Sequence, residues 1–335
     1  MARFSRSSAA LVFGLLAVSS VVAPAQSKTP WSTPRTSWGD LDLQGVWSNS
    51  QEINVPFERP AEFGMREYLN DDEAERVLAA RNKDREENVD NVGGIGTGAG
   101  PGHWYEYWNN NVSRRTSIVV DPPDGRIPPL TAEATRKADA LADARKGLGR
   151  KGSWGNGPFD GPEDFTNYER CITRGLPDVN LQLFYNNNYQ IVQGPGYVAI
   201  LYEMIHESRV IPLDGRPHSP ARRMMGDSRG HWDGQTLVVD VTNFTDKTNF
   251  RGSGDTLHLV ERFTRLSPTQ IKYEVTVDDP TVWTRPWTAR SFWNKDPKQA
   301  QVLEYACHEG NYGMFNMLSG ARAAEKAAAA SGKRQ

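Results

Sequence analysis

The chain is 335 residues long, enough for one large domain or two small ones with a sizeable core. Hydrophobic residues make up 38% and aromatic residues 10%, which argues against disorder over most of the length. Lys and Arg number 39 against 41 Asp and Glu, a net charge of −2 with no basic stripe, so binding to a nucleic-acid backbone is not expected.

Residues 1–25 have the pattern of a secretory signal. Arg3 and Arg6 give the positive start, residues 9–23 the apolar stretch, and Ala23-Pro24-Ala25 a small-x-small cleavage site before Gln26. The alternative is a membrane anchor, but Gly14, Ser19 and Ser20 interrupt a run too short to span comfortably. Cleavage removes two arginines and takes the net charge from −2 to −4. The mature chain is then expected to be periplasmic or secreted, with no membrane span. In an oxidising compartment Cys171 and Cys307 are expected to form a disulfide; two free buried thiols are the alternative.

Residues 26–165 read as an N-terminal elaboration with two helices and a glycine-rich loop. A short apolar strand surrounds Gly45-Val-Trp47. Asn70 or Asp71 caps a charged helix running toward Glu87. The run GGIGTGAGPG from Gly93 contains a GxGxxA match, but no apolar strand precedes it and no helix pattern follows, so it is not a dinucleotide site. His103–Trp108 is a dense aromatic cluster. Residues 117–121 read as a strand, and Thr131 caps a second helix reaching Lys146.

Beyond residue 166 the texture becomes β-rich. Strands are predicted at 189–193, 197–205, 209–213, 236–241, 257–266, 271–277, 283–293 and 302–308, separated by turn signals such as Asp214-Gly215 and Asp233-Gly234. Without long helical patterns between them, these predict a mainly β fold, an antiparallel meander closing into a barrel over 166–320. Residues 321–335 form a disordered or helical tail.

The Gly45-Val-Trp47 start followed by this meander resembles the lipocalin-like (calycin) barrels, as does the hairpin pattern Trp232-Asp-Gly-Gln-Thr-Leu237-Val-Val-Asp240. The phrases PDGRIPPLT, RCITRGLP, PGYVAILYEMIH, GDSRGHWDG, TNFTDKTNFRGS and YACHEGNYGM are similar to those of a widespread group of secreted bacterial proteins. These resemblances imply a lipocalin-like barrel and export, but no particular activity.

Candidate chemistry gathers on ionisable residues in otherwise apolar strands. Glu203 and His206 share a face at metal-ligand spacing only on a helix; flanking hairpin signals favour a strand, so no metal is expected. Asp227, Arg229 and His231 form the densest polar group: Asp227 can orient an imidazole and Arg229 can hold an oxyanion. The alternative is a turn in which Asp227 caps and Arg229 makes a surface ion pair. His308 beside Cys307 is either a functional or a structural histidine. Trp104, Tyr105, Trp108, Trp283 and Trp287 can line an apolar pocket with Arg285 among them; as tryptophans they also suit a core.

Two functions follow. One is a cofactor-free lyase, isomerase or hydrolase acting on a small apolar or aromatic molecule. In it His206 or His231 is the base, Asp227 orients it, Arg229 or Arg285 holds negative charge, and Tyr202 or His308 donates a proton. The other is a non-catalytic carrier using the same pocket. No GxSxG, P-loop, HExxH or CxxC motif is present.

Overall fold

A computed structural model describes residues 31–53, 55–88, 113–144, 159–181, 185–248, 250–297 and 299–331. The expected signal, the glycine-rich run and the cluster with Trp104, Tyr105 and Trp108 lie outside these residues. The chain divides into Met1–Ser32 and Thr33–Gln335, and the fold is that of the second unit.

Ten strands form one antiparallel sheet. They are β1 (Gly45–Ser48), β2 (Val119–Asp121), β3 (Asn188–Gly194), β4 (Tyr197–Tyr202), β5 (Ser208–Pro212), β6 (Asp227–Asp233), β7 (Thr236–Thr242), β8 (His258–Ser267), β9 (Gln270–Asp278) and β10 (Trp287–Asn294). Their order is β5-β4-β3-β1-β10-β9-β8-β7-β6. Two hairpin-connected runs are thus joined by β1, which pairs β3 along its length and β10 at Ser48↔Asn294. β2 takes the other end of the same β10 edge, at Ala289↔Val119. Strands from before residue 166 therefore belong to the same sheet as the later meander.

Period-two alternation explains the faces. In β8, Leu259, Glu261, Phe263 and Arg265 are buried, while His258, Val260, Arg262 and Thr264 turn outward. β9 and β10 alternate likewise, bringing Tyr273, Val275, Trp287, Ala289 and Trp293 into the core. The edge strands β5 and β6 have no ladder between them, so the sheet is not a closed barrel. They nonetheless meet through side chains. Gly230 on β6 leaves room for β5, since a Cβ there would lie 2.7 Å from Leu213 Cδ2 and 2.8 Å from Ile211 Cγ2. The 213–226 connection joins these two edges.

Helix α1 (Asp71–Asn88) opens with a reciprocal cap: Glu73 N donates to Asn70 Oδ1, and Asn70 N to Glu73 Oε2. Its bond from Arg66, with that from Asn70 N, lowers the Glu73 pKa to about 2. Helix α2 (Ala132–Ala144) begins at Thr131, whose hydroxyl accepts from Ala134 N. The C-terminal segment, expected from 321 to be a disordered or helical tail, lies in helix α3 (Tyr312–Ala330), capped by Asn311. Cys171 and Cys307 form a disulfide with Cα atoms 5.7 Å apart. Among the described residues no helix is long and apolar enough to cross a membrane.

Four strand expectations differ from the fold, the one at 283–293 beginning only at Trp287, after Pro286. Residues 302–308 form no strand: Leu303 N is taken by the Glu203 carboxylate and the disulfide holds Cys307, leaving no ladder partner. The strand predicted over 197–205 ends at Tyr202, where the chain turns through Ile205 and His206 at φ 59° and 43°. The polar segment Asp227–Asp233, for which no strand was expected and a turn was one alternative, is strand β6, because its register with β7 runs unbroken from Asp227↔Thr242 to Asp233↔Thr236.

Candidate functional site

Three groups of charged side chains bear on the candidate site. The innermost is carried on strands. Arg209 Nη1 and Nη2 donate to the two oxygens of Glu261 at 2.6 and 3.0 Å. Glu261 Oε1 also accepts from Tyr273 Oη at 2.8 Å and Asn180 Nδ2 at 2.7 Å. Burial first, then neighbouring Glu261, pushes the Tyr273 phenol up; burial also raises Tyr202. Burial opposes the Arg209 charge, but Glu261 more than offsets it and holds the guanidinium above its ordinary pKa. Arg209 and Tyr273 are fixed donors in a dry core, unsuited to exchanging protons near neutrality.

The second group lies on the outer face, where the 213–226 connection folds over β6 and β7. Asp227 Oδ2 accepts from Ser219 N at 3.0 Å, lies 3.0 Å from Arg229 Nη2 and contacts His218 Nδ1 at 2.9 Å. His218 Nε2 contacts Asp240 Oδ1 at 2.8 Å, and the other Asp240 oxygen meets His258 Nε2 at 2.7 Å. Both nitrogens of His218 are thus engaged by carboxylates, so it has no free lone pair to offer as a base. Arg229 Nε donates to Pro217 O and Asn243 Nδ2 to Ser219 O, pinning the connection down.

The third group is left open, and it is carried on loops. Arg174 and Asp178 follow Cys171 in one segment; Arg251 comes from the β7–β8 connection. Arg174 places its guanidinium 4.5 Å from the Tyr168 ring centre, and Arg251 stacks 3.7 Å over Phe57. Neither guanidinium donates a hydrogen bond to a described residue, and the Asp178 carboxylate accepts none. Burial raises the Asp178 pKa, opposed by the charges of Arg174 and Arg251, yet neither arginine closes into an ion pair with it. Burial lowers Arg251, opposed by Asp178 and Glu58. Arg174 Nε is buried without a protein partner.

Aromatic core side chains lie next to Arg251 through Phe57, the only one of them partly exposed. Phe57 and Phe250 each lie 6.0 Å from Trp287, and Trp283 packs edge-on to Trp287 at 5.5 Å. The buried Trp287 Nε1 also finds no partner. Of the expected pocket residues, Trp283 and Trp287 therefore stand together, beside Arg251 through Phe250 and Phe57. Arg285 turns to the surface and pairs with Asp121 at 3.0 Å.

The expected catalytic residues do not form one group. Asp227 and Arg229 are together, but the imidazole on Asp227 is His218. His231 is exposed on β6, opposite Val238. His206 is exposed, its Nδ1 3.0 Å from Tyr305 O. His308 is exposed in the segment before α3. Tyr202 is buried in the core near Arg209. Among the described residues no set of three His, Cys, Asp or Glu side chains is arranged to hold a metal ion.

Sequence reasoning missed His218, Asp240, His258, Arg174, Asp178 and Arg251 as site residues. A signal for the open group was present: RCITRGLP contains Arg174 and leads into Asp178, and TNFTDKTNFRGS contains Arg251. No family model matches the chain. No curated protein matches it either.

Proposed function

We propose that the protein is an exported, lipocalin-like container that binds a small aromatic molecule beside Phe57, with Arg174, Asp178 and Arg251 meeting its polar end. The observation that carries this is that the Arg174 and Arg251 guanidinium groups and the Asp178 carboxylate make no side-chain hydrogen bond or ion pair with a described residue, with Arg251 stacked on the partly exposed Phe57. The disulfide supports an oxidising compartment. Binding is favoured over the histidine-based catalysis read from the sequence, since His206, His231 and His308 are exposed on separate elements.

Titration with two-ring aromatic alcohols, followed by tryptophan fluorescence and calorimetry, tests the proposal. Saturable one-to-one binding that Phe57→Ala weakens supports it; no binding across the series refutes it. A second reading, a cofactor-free lyase, isomerase or hydrolase, is favoured by one observation: Asp178 holds its proton more tightly than an ordinary carboxyl and lies near two cations. In that case Asp178→Asn abolishes turnover while binding persists.

A further inference from the structure

We propose that the Cys171–Cys307 disulfide is exchangeable: an external dithiol reduces it through Cys307, and reduction opens a clamp that the bridge holds on the β4–β5 tip. This goes beyond the binding function above and does not depend on it.

The bridge joins two segments that grip the same tip, residues 203–207. From the arm of residues 302–311, Leu303 N donates to Glu203 Oε2 at 2.8 Å, and Tyr305 O lies 3.0 Å from His206 Nδ1. From the loop of residues 166–174, Thr173 Oγ1 donates to Glu207 Oε1 at 2.8 Å. Tyr168 of the loop and Tyr305 of the arm meet the Tyr185 hydroxyl at 3.2 and 3.0 Å. With Cys307 these tyrosines pack on Met204 and Ile205, which are 2% and 4% exposed and form a cluster apart from the main core. The gripped tip is strained. Ile205 and His206 hold φ of 59° and 43°, and Cys171 itself holds 56°. A β-branched residue keeps such a φ only where its surroundings impose it. Here those surroundings are the clamp.

The two sulfurs differ in the respects that direct thiol exchange. Cys171 is 5% exposed, whereas Cys307 is half-buried and its neighbours Ala306 and His308 are exposed. An incoming thiolate therefore reaches Cys307 Sγ. Cys171 must then leave as a thiolate, and Asn311 Nδ2 stands 3.5 Å from its sulfur as a hydrogen-bond donor. One sulfur of the dithiol bonds to Cys307 as the Cys171–Cys307 bond breaks, with the electron pair going to Cys171. The second sulfur of the dithiol then displaces Cys307. Two electrons and two protons pass to the protein, which gains two thiols as the dithiol becomes a disulfide. Hydrogen bonds at half-buried or exposed positions remain between loop and arm, from Asn311 to Glu169 O and from Arg322 to Phe159 O and Asp160 O. Nothing covalent then sustains the strain at Ile205.

The oxidised protein is treated with dithiothreitol without denaturant and followed by hydrogen exchange. A parallel sample is treated with glutathione, quenched with iodoacetamide and mapped by peptide mass spectrometry. Glutathione is expected on Cys307 in preference to Cys171 by about tenfold or more. After reduction, amides of 203–207 and 302–311 should exchange about tenfold faster or more, with β7–β10 unchanged. Asn311→Asp keeps the acceptor that caps α3 but removes the donor, and should slow reduction about threefold or more. Reduction that requires denaturant, or glutathione found on Cys171, overturns exchange through Cys307. Lost protection across β7–β10, or unchanged exchange at 203–207, overturns the clamp. An Asn311→Asp variant reduced as fast as the parent overturns the role of Asn311. No readout uses a ligand, so the binding function stands or falls separately.

Discussion

The charges on the strands and those on the loops beside Phe57 differ in one respect: the first are matched and the second are not. Glu261 accepts from Arg209, Tyr273 and Asn180, and Asp227 is contacted by Ser219, His218 and Arg229. Asp178, near two arginines, bonds to neither. A strand residue has neighbours set by register, so a buried charge there persists only where register supplies a partner. Loop residues are placed by their own anchors, here the disulfide before Arg174 and Phe250 beside Arg251, and can be held apart. A charge held near its opposite without contact leaves room for a third party.

The comparison is most sharply tested at Glu261. Replacing it with Ala leaves Arg209 charged and unpaired in the core, and should lower stability by about 3–5 kcal/mol in urea denaturation. A loss no larger than that of an ordinary surface change would show that the pair is not structural. His218→Ala comes next. It removes one contact from buried Asp227 and one from Asp240, for an expected loss of about 1–3 kcal/mol. Its 213–226 connection should also exchange amide hydrogens faster than in the parent.

The loop group should behave in the opposite sense. Because folding raises the Asp178 pKa, the folded state holds that proton more tightly than the unfolded chain. Its contribution is therefore greatest at low pH and is lost as pH rises from the ordinary carboxyl range through the folded pKa. Asp178→Asn should be at least as stable as the parent at neutral pH, with the advantage disappearing on acidification. Denaturation midpoints across pH read this directly, and a variant less stable at neutral pH would place Asp178 among the matched charges. Arg251→Met should have the smallest effect, within about 0.5 kcal/mol, since it breaks no ion pair. A larger loss would mean that its stacking on Phe57 holds the loop.

Much of the sheet was legible because strand residues alternate in polarity over several positions. Leu259, Phe263, Tyr273 and Trp293 fall where period-two patterning puts them. The starts of α1 and α2 were legible in Asn70 and Thr131, because a cap is a local hydrogen bond. β6 was missed because its outward positions, Asp227 and Arg229, are covered by the 213–226 connection, so polarity there did not mean a solvated turn. The strand expected at 302–308 failed for the opposite reason: its apolar residues had no open edge to join.

The amino-acid sequence alone indicated most of the strands, that Cys171 and Cys307 could bridge, and that ionisable groups would sit among apolar ones. These follow from local chemistry: side-chain period, capping and thiol pairing. Only the tertiary structure decided that Asp227 meets His218 rather than His231, that β5 and β6 stay unzipped, and that Arg251 comes to stand near Asp178. Those outcomes depend on how far a sheet curls and where long connections cross it. No spacing within the chain encodes such distances, because segments remote in sequence meet only when the intervening fold brings them together.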